Sequence, residues 1–134
     1  YIEQKDASYV DKGAIFKQSD IVTVHVPLTK ETKGFISMMD FSLMNGGYFV
    51  NASRGAVIVD DDLINAMELG LIKSSTLDVI NNESPHGVKG HPLVNYSKKN
   101  PRLIITPHIG GSSYEYLDKI FLHSAKELIR LLLL

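Results

Sequence analysis

The sequence predicts an α/β domain built on a parallel sheet, and two observations carry that expectation. Apolar, β-branched runs alternate along the chain with stretches of helical spacing. Those runs are nearly continuous in apolar character, as expected of parallel strands covered on both faces.

Taken in order, residues 10–19 (VDKGAIFKQS) read as a short helix or turn after an irregular polar start. Residues 20–27 (DIVTVHVP) form a β-branched run stopped by proline, a strand. Residues 29–34 are polar loop, and residues 36–44 (ISMMDFSLM) carry the apolar spacing of a short helix. Asn45-Gly46-Gly47 is a turn or helix stop before a strand at 48–52 (YFVNA). A loop of small residues, 53–56, leads to 57–59 and then to a helix at 60–69, with aspartates in its first turn and Gly70 at its end, which suits the helix dipole and the C-cap. Residues 75–80 (STLDVI) are strand-like. Residues 81–100 form a long polar connection holding Pro85, Gly87, Gly90 and Pro92. That connection exceeds ordinary structural loops and so points to a site or an excursion. A short strand at 103–106 closes at Pro107, and one long helix occupies 112–134, capped by Ser112 or Ser113, with Leu117, Ile120, Phe121, Leu128 and Ile129 as an apolar stripe.

Composition removes several function classes. The 134 residues hold 14 basic and 15 acidic side chains, a net charge of −1, so no basic footprint favours nucleic acid or anionic membrane. Cysteine is absent, which excludes disulfides and thiolate chemistry within this sequence, and no metal-ligand cluster is expected. The longest apolar run is the four terminal leucines, far short of the roughly 20 residues of a membrane span. No signal-peptide pattern opens the sequence, and a cytoplasmic setting is the expectation.

In a doubly wound sheet, ligands sit beyond the carboxyl ends of the strands. Four such ends carry suggestive residues: His25-Val26-Pro27; Asn51-Ala52-Ser53-Arg54-Gly55; Asp78 with Glu83 beyond it; and Pro107-His108-Ile109-Gly110-Gly111-Ser112. A parallel sheet brings Arg54, Asp78, Glu83 and His108 to one edge. An imidazole carries protons near neutral pH, and a neighbouring carboxylate fixes its tautomer. A guanidinium grips a carboxylate at two points and stabilises charge developing on oxygen. Glycines after His108 let backbone N–H groups approach a ligand closely. Taken singly, His86, His91 and His123 read as surface or satisfied histidines, His25 as a turn residue or a site residue, Arg54 as a surface salt-bridge residue and Glu83 as a solvated charge.

Four segments together resemble the D-isomer-specific 2-hydroxyacid dehydrogenases: SDIVTVHVPLTKETKGFI, NASRGAVIVDDDLINAMELG, LDVINNESP and TPHIGGSS, which share their order and spacing with that family. The resemblance implies the distal half of a doubly wound, Rossmann-type NAD-binding domain over residues 1–111, with 112–134 a helix leading back towards a substrate domain. It makes His108 the acid/base, Glu83 its carboxylate partner and Arg54 the group that binds the substrate carboxylate and polarises its carbonyl. It places Asp78 on the nicotinamide carboxamide, with Val26, Ala52, Ser53, Arg54, His108, Gly110 and Gly111 also along the cofactor. It implies hydride transfer between NAD, or NADP, and a small D-2-hydroxy acid, giving a 2-oxo acid.

Two departures accompany the resemblance. The chain reads Glu83-Ser84-Pro85 where the family has Glu followed directly by Pro, and no G-x-G-x-x-G motif is present. The expectation is therefore a truncated piece with little activity alone, whose apolar strand edge and helix stripe favour a homo-oligomer. A corepressor-like, dinucleotide-sensing interaction module is the alternative reading.

Overall fold

The computed structural model describes residues 7–83 and 88–132. The elements follow as α1 (Lys12–Gln18), β1 (Ile21–Val24), α2 (Met38–Phe41), β2 (Gly47–Asn51), α3 (Asp60–Glu68), β3 (Ile72–Leu77), α4 (Pro92–Ser97), β4 (Leu103–Ile105) and α5 (Tyr114–Leu132), with a 3-10 turn at Gly55–Val57. The four strands are all parallel, in the order β1-β2-β3-β4. Each expected strand is present, although β3 begins at Ile72, earlier than expected, because Lys73, Ser74 and Ser75 mask its character. The connection at 81–100 holds a helix, α4, that its polar composition conceals; its start is marked by His91 as N-cap and Pro92 in the first turn. The Ser84-Pro85 departure and His86 lie outside the described residues.

The sheet is covered on one face only among the described residues, which corrects the two-face expectation. Register aligns Val22, Phe49, Ser75 and Leu103 in one row and Val24, Asn51, Leu77 and Ile105 in the next, all facing the helices. The opposite face holds Ile21, 61% exposed, Tyr48, 41%, and Ile104, 53%. The reason is topological. Each strand is followed in space by its sequence successor, and right-handed crossovers that all advance in one direction put the connecting helices α2, α3 and α4 on the same side. The apolar runs that suggested two covered faces are half-covered strands whose outer residues are also apolar.

Phe16 of α1, Phe41 of α2 and Phe49 of β2 form the aromatic centre of the core; Phe41 and Phe49 meet edge to face with centroids 5.1 Å apart. Asp40, buried at the start of α2, is fully engaged: Ser37 N–H donates to one oxygen and Lys12 Nζ lies 2.7 Å from the other. Gly70, at φ 74°, ends α3 in the left-handed conformation. Helix α5 is capped by Ser113, whose Oγ accepts from Tyr116 N–H, and its stripe of Leu117, Ile120, Phe121, Leu128 and Ile129 is exposed.

One-sided burial sets a contrast between adjacent residues of β2. Phe49→Ala should cost about 3–5 kcal/mol as a core truncation, and Tyr48→Ala within about 1 kcal/mol as a surface change. Urea unfolding of both variants measures the difference, and equal losses would contradict an open face.

Candidate functional site

The carboxyl ends of all four strands lie along one edge, about 4.8 Å apart per strand. At the β3–β4 side, Asp78 follows β3 and His108 follows β4. Asp78 Oδ1 accepts from the Thr106 hydroxyl and from Ile109 N–H at 3.0 Å, and Oδ2 accepts from Gly110 N–H at 2.8 Å. This grip holds His108 at φ 54°, a left-handed conformation that a non-glycine residue keeps only when its surroundings enforce it. Gly110 is needed for the approach, since a Cβ there would lie 2.9 Å from Asp78 Oδ2. Burial opposes the charge on Asp78, but the Thr106 hydroxyl, the Gly110 and Ile109 N–H groups and nearby His108 outweigh it and hold the carboxyl below its ordinary range.

His108 Nδ1 lies 2.7 Å from Glu83 Oε2, so the two groups paired by sequence reasoning meet. Glu83 Oε1 accepts from Ile80 N–H at 2.7 Å, which braces the carboxylate on its own loop. With Glu83 accepting at Nδ1, the neutral ring carries its proton there and leaves Nε2 to accept one from a ligand. Both residues line a cleft of about 410 Å³ whose other walls include Ile80, Val94, Ile105 and Pro107.

On the β1–β2 side the loop after β2 is shaped from within. Buried Asn51 accepts Ser53 N–H and Oγ–H on its Oδ1 and donates from Nδ2 to the Arg54 carbonyl. Arg54 reaches solvent, and one of its five N–H donors is taken by the Ser53 carbonyl at 2.7 Å. A second cleft, about 440 Å³, is lined by His25, Val26, Pro27, Leu28, Ala52, Ser53 and Arg54. His25 pairs with the Thr23 hydroxyl at 2.9 Å. The two halves touch through Gly55: a Cβ there would fall 1.9 Å from the Ile80 carbonyl carbon. No hydrogen bond joins Arg54 to the Glu83–His108 pair among the described residues, and Gly111 is exposed beyond Gly110.

Sequence reasoning placed Asn51 and Gly55 at a suggestive strand end without giving them a role, and it did not single out Thr106. Asn51 carried a signal, an Asx residue two positions before a loop serine. For Gly55 and Thr106 the partners follow another strand, and no local pattern names those partners. Among the described residues, no group of three His, Asp or Glu side chains is placed to hold a metal ion, and no helix is long and apolar enough to cross a membrane.

The cleft at the β1–β2 side offers a ligand both apolar and polar surface. Val26, Pro27 and Ala52 give it an apolar wall, and Ser53 and Arg54 a polar rim. Open parallel sheets bind ligands, dinucleotides among them, beyond their carboxyl ends, and an imidazole backed by a carboxylate at that edge is equipped to move protons, so the class is an α/β ligand-binding domain with an acid/base pair. Residues 1–110 match the D-isomer specific 2-hydroxyacid dehydrogenase, NAD binding domain, and the chain belongs to that family of NAD-dependent oxidoreductases. It is 35% identical over 128 residues to a glyoxylate reductase of Thermococcus litoralis, covering 95% of this chain and 37% of that protein. It is 38% identical over 111 residues to a D-3-phosphoglycerate dehydrogenase of Dictyostelium discoideum, covering 82% and 27%. A D-lactate dehydrogenase of Aquifex aeolicus, solved with NAD and lactic acid, superposes with a TM-score of 0.73 at 27% identity, covering 93% of this chain and 40% of that one. The chain spans about a third of the length of the curated relatives it matches.

The downward shift of the Asp78 carboxyl has a definite sign. A carboxylate with a lower pKa folded than unfolded contributes stability above its unfolded value and loses it as pH falls through the folded one. Asp78→Asn should therefore be less stable than the native chain near about pH 7, with the gap closing below about pH 4. Denaturant titrations at both pH values check this, and a gap independent of pH would contradict it.

Proposed function

We propose that this chain is the distal part of the NAD-binding domain of a D-2-hydroxyacid dehydrogenase, with residues 1–111 in that domain and 112–134 leading towards a substrate domain. The observation that carries the reading is the Glu83–His108 pair at the carboxyl edge of the sheet. His108 is the acid/base: in oxidation, Nε2 takes the proton of the substrate hydroxyl, and in reduction it returns one to the carbonyl oxygen. Glu83 keeps Nδ1 protonated and offsets the charge when the ring becomes imidazolium. Arg54, with four N–H donors beyond the one given to Ser53, binds the substrate carboxylate and polarises the carbonyl.

NAD, or NADP, supplies the hydride acceptor or donor when bound. Val26, Ala52, Ser53, Arg54, His108, Gly110 and Gly111 line its nicotinamide end. Asp78 receives the carboxamide at the lone pair of Oδ2 that Gly110 leaves over. The substrate is a small 2-hydroxy or 2-oxo acid.

In the full-length enzyme, His108→Gln should lower kcat about 10²–10⁴-fold and leave the NAD dissociation constant within a few fold. Unaltered turnover with 2-oxo acids would overthrow the assignment. The 134-residue chain lacks a G-x-G-x-x-G turn for the pyrophosphate, so calorimetry of the chain alone should show no micromolar NAD binding.

The reading extends to assembly. β1 is an edge strand with Ile21 exposed, and the α5 stripe is unpartnered among the described residues, so this chain self-associates. Sedimentation should show species heavier than 14.9 kDa that grow with concentration. A monodisperse monomer throughout would remove this proposal.

A further inference from the structure

The four residues from Ile80 to Glu83 decide whether the acid/base pair is assembled, and three contacts fix their path. Gly55 presses against the Ile80–Asn81 backbone, and Ile80 N–H donates to Glu83 Oε1. The third contact comes from outside the site: His91 Nε2 lies 2.9 Å from the Asn81 carbonyl oxygen. Immediately afterwards Asn82, at φ 51°, turns the chain so that Glu83 faces His108.

His91 is the N-cap of α4, where its Nδ1 accepts Leu93 N–H at 3.2 Å. That acceptance leaves the proton of the neutral ring on Nε2, the nitrogen directed at Asn81 O, with Asp60 Oδ2 as a second acceptor 3.4 Å away. The charged groups set about the two histidines are Asp60, with Asp61 beside it, at His91, and Glu83 and Asp78 at His108. The ring is only 11% exposed, and both nitrogens are used. Capping does not require this: Asn, Asp or Ser caps a helix at least as well. The longer imidazole does what those side chains cannot, which is to span from the first turn of α4 to the carbonyl two residues before Glu83.

We infer that His91 is a positioning residue for the Glu83–His108 pair, acting through the Asn81 carbonyl while capping α4. It rests on the reading of Glu83 and His108 as the working pair. His91 touches neither substrate nor cofactor in that reading; it sets the loop from which Glu83 reaches the ring.

Nitrogen-15 spectra of the imidazoles in the 134-residue chain, at a pH where the rings are neutral, test this by reporting which ring nitrogen holds each proton. The native chain should show His108 mainly as the Nδ1–H tautomer and His91 mainly as Nε2–H. Glu83→Ala should turn His108 over to the Nε2–H form that solvated imidazole prefers. His91→Asn keeps an acceptor for Leu93 N–H but ends short of Asn81, so it should cause the same loss of the Nδ1–H form with the α4 amide resonances retained. His108 unmoved in His91→Asn, while Glu83→Ala moves it, would overturn the inference and leave the pair standing. His108 unmoved in Glu83→Ala would remove the pair, and the proposed function with it. The native spectrum decides even if His91→Asn does not fold: a His91 ring found as Nδ1–H would also overturn the inference.

Discussion

The carboxylate of Asp78 is the group on which the rest of the site depends. It sits where β3 ends and ties down Thr106, at the exit from β4, together with Ile109 and Gly110 beyond it, accepting from one hydroxyl and two backbone N–H groups. Fixing Ile109 and Gly110 on a single carboxylate forces His108 into a left-handed conformation that its own side chain disfavours. A charged acceptor is suited to this because bonds to an ionised oxygen are stronger than neutral ones, and the loop must hold a strained residue still. The imidazole thus faces Glu83 as a consequence of backbone geometry, and the Glu83–His108 contact, partly exposed, contributes little to holding the loop.

A second constraint acts on the whole layer. Right-handed crossovers running in one direction place α2, α3 and α4 together against the buried rows of β1 to β4, and Phe41 and Phe49 lock that contact. The same rule aligns every strand exit along one edge, so the arrangement that leaves one face open also gathers Val26, Arg54, Glu83 and His108. Gly55 converts this alignment into coupling, because its missing side chain lets the Arg54 loop lie directly on the loop that carries Glu83.

Much of this was legible in the residues. β1, β2 and β4 announce themselves through β-branched and aromatic runs, and α3 through three first-turn aspartates followed by Leu63, Ala66 and Met67 at helical spacing. Parallel strand exits brought Glu83 and His108 to one edge, the family resemblance implied their pairing, and the two lie 2.7 Å apart. What was not legible depends on residues distant in sequence. The α4 segment PLVNYS has no strong period, and its burial comes from Leu93 packing under α3 and β4. Tyr48, Ile21 and Ile104 are as apolar as core residues, so nothing in them told the open face from the covered one. Asp78 looked like a ligand-facing carboxylate and is also a backbone clamp, because Thr106 and Gly110 are 28 and 32 residues away.

The strand order has a consequence for how the chain reaches this structure. Every strand pairs only with its sequence neighbour, with Val22 opposite Phe49, Phe49 opposite Ser75 and Ser75 opposite Leu103. Each pairing closes a loop of a single crossover, and none waits for a distant segment to arrive. The entropic cost of loop closure grows only slowly with length, so three closures of similar span have similar costs and impose no order. Growth can therefore begin at the β2–β3 pair, where the contacts are densest, and proceed outward in both directions. The assembly resembles a stack extended one unit at a time, and the exposed edge of β1 is the surface at which the next unit would be added.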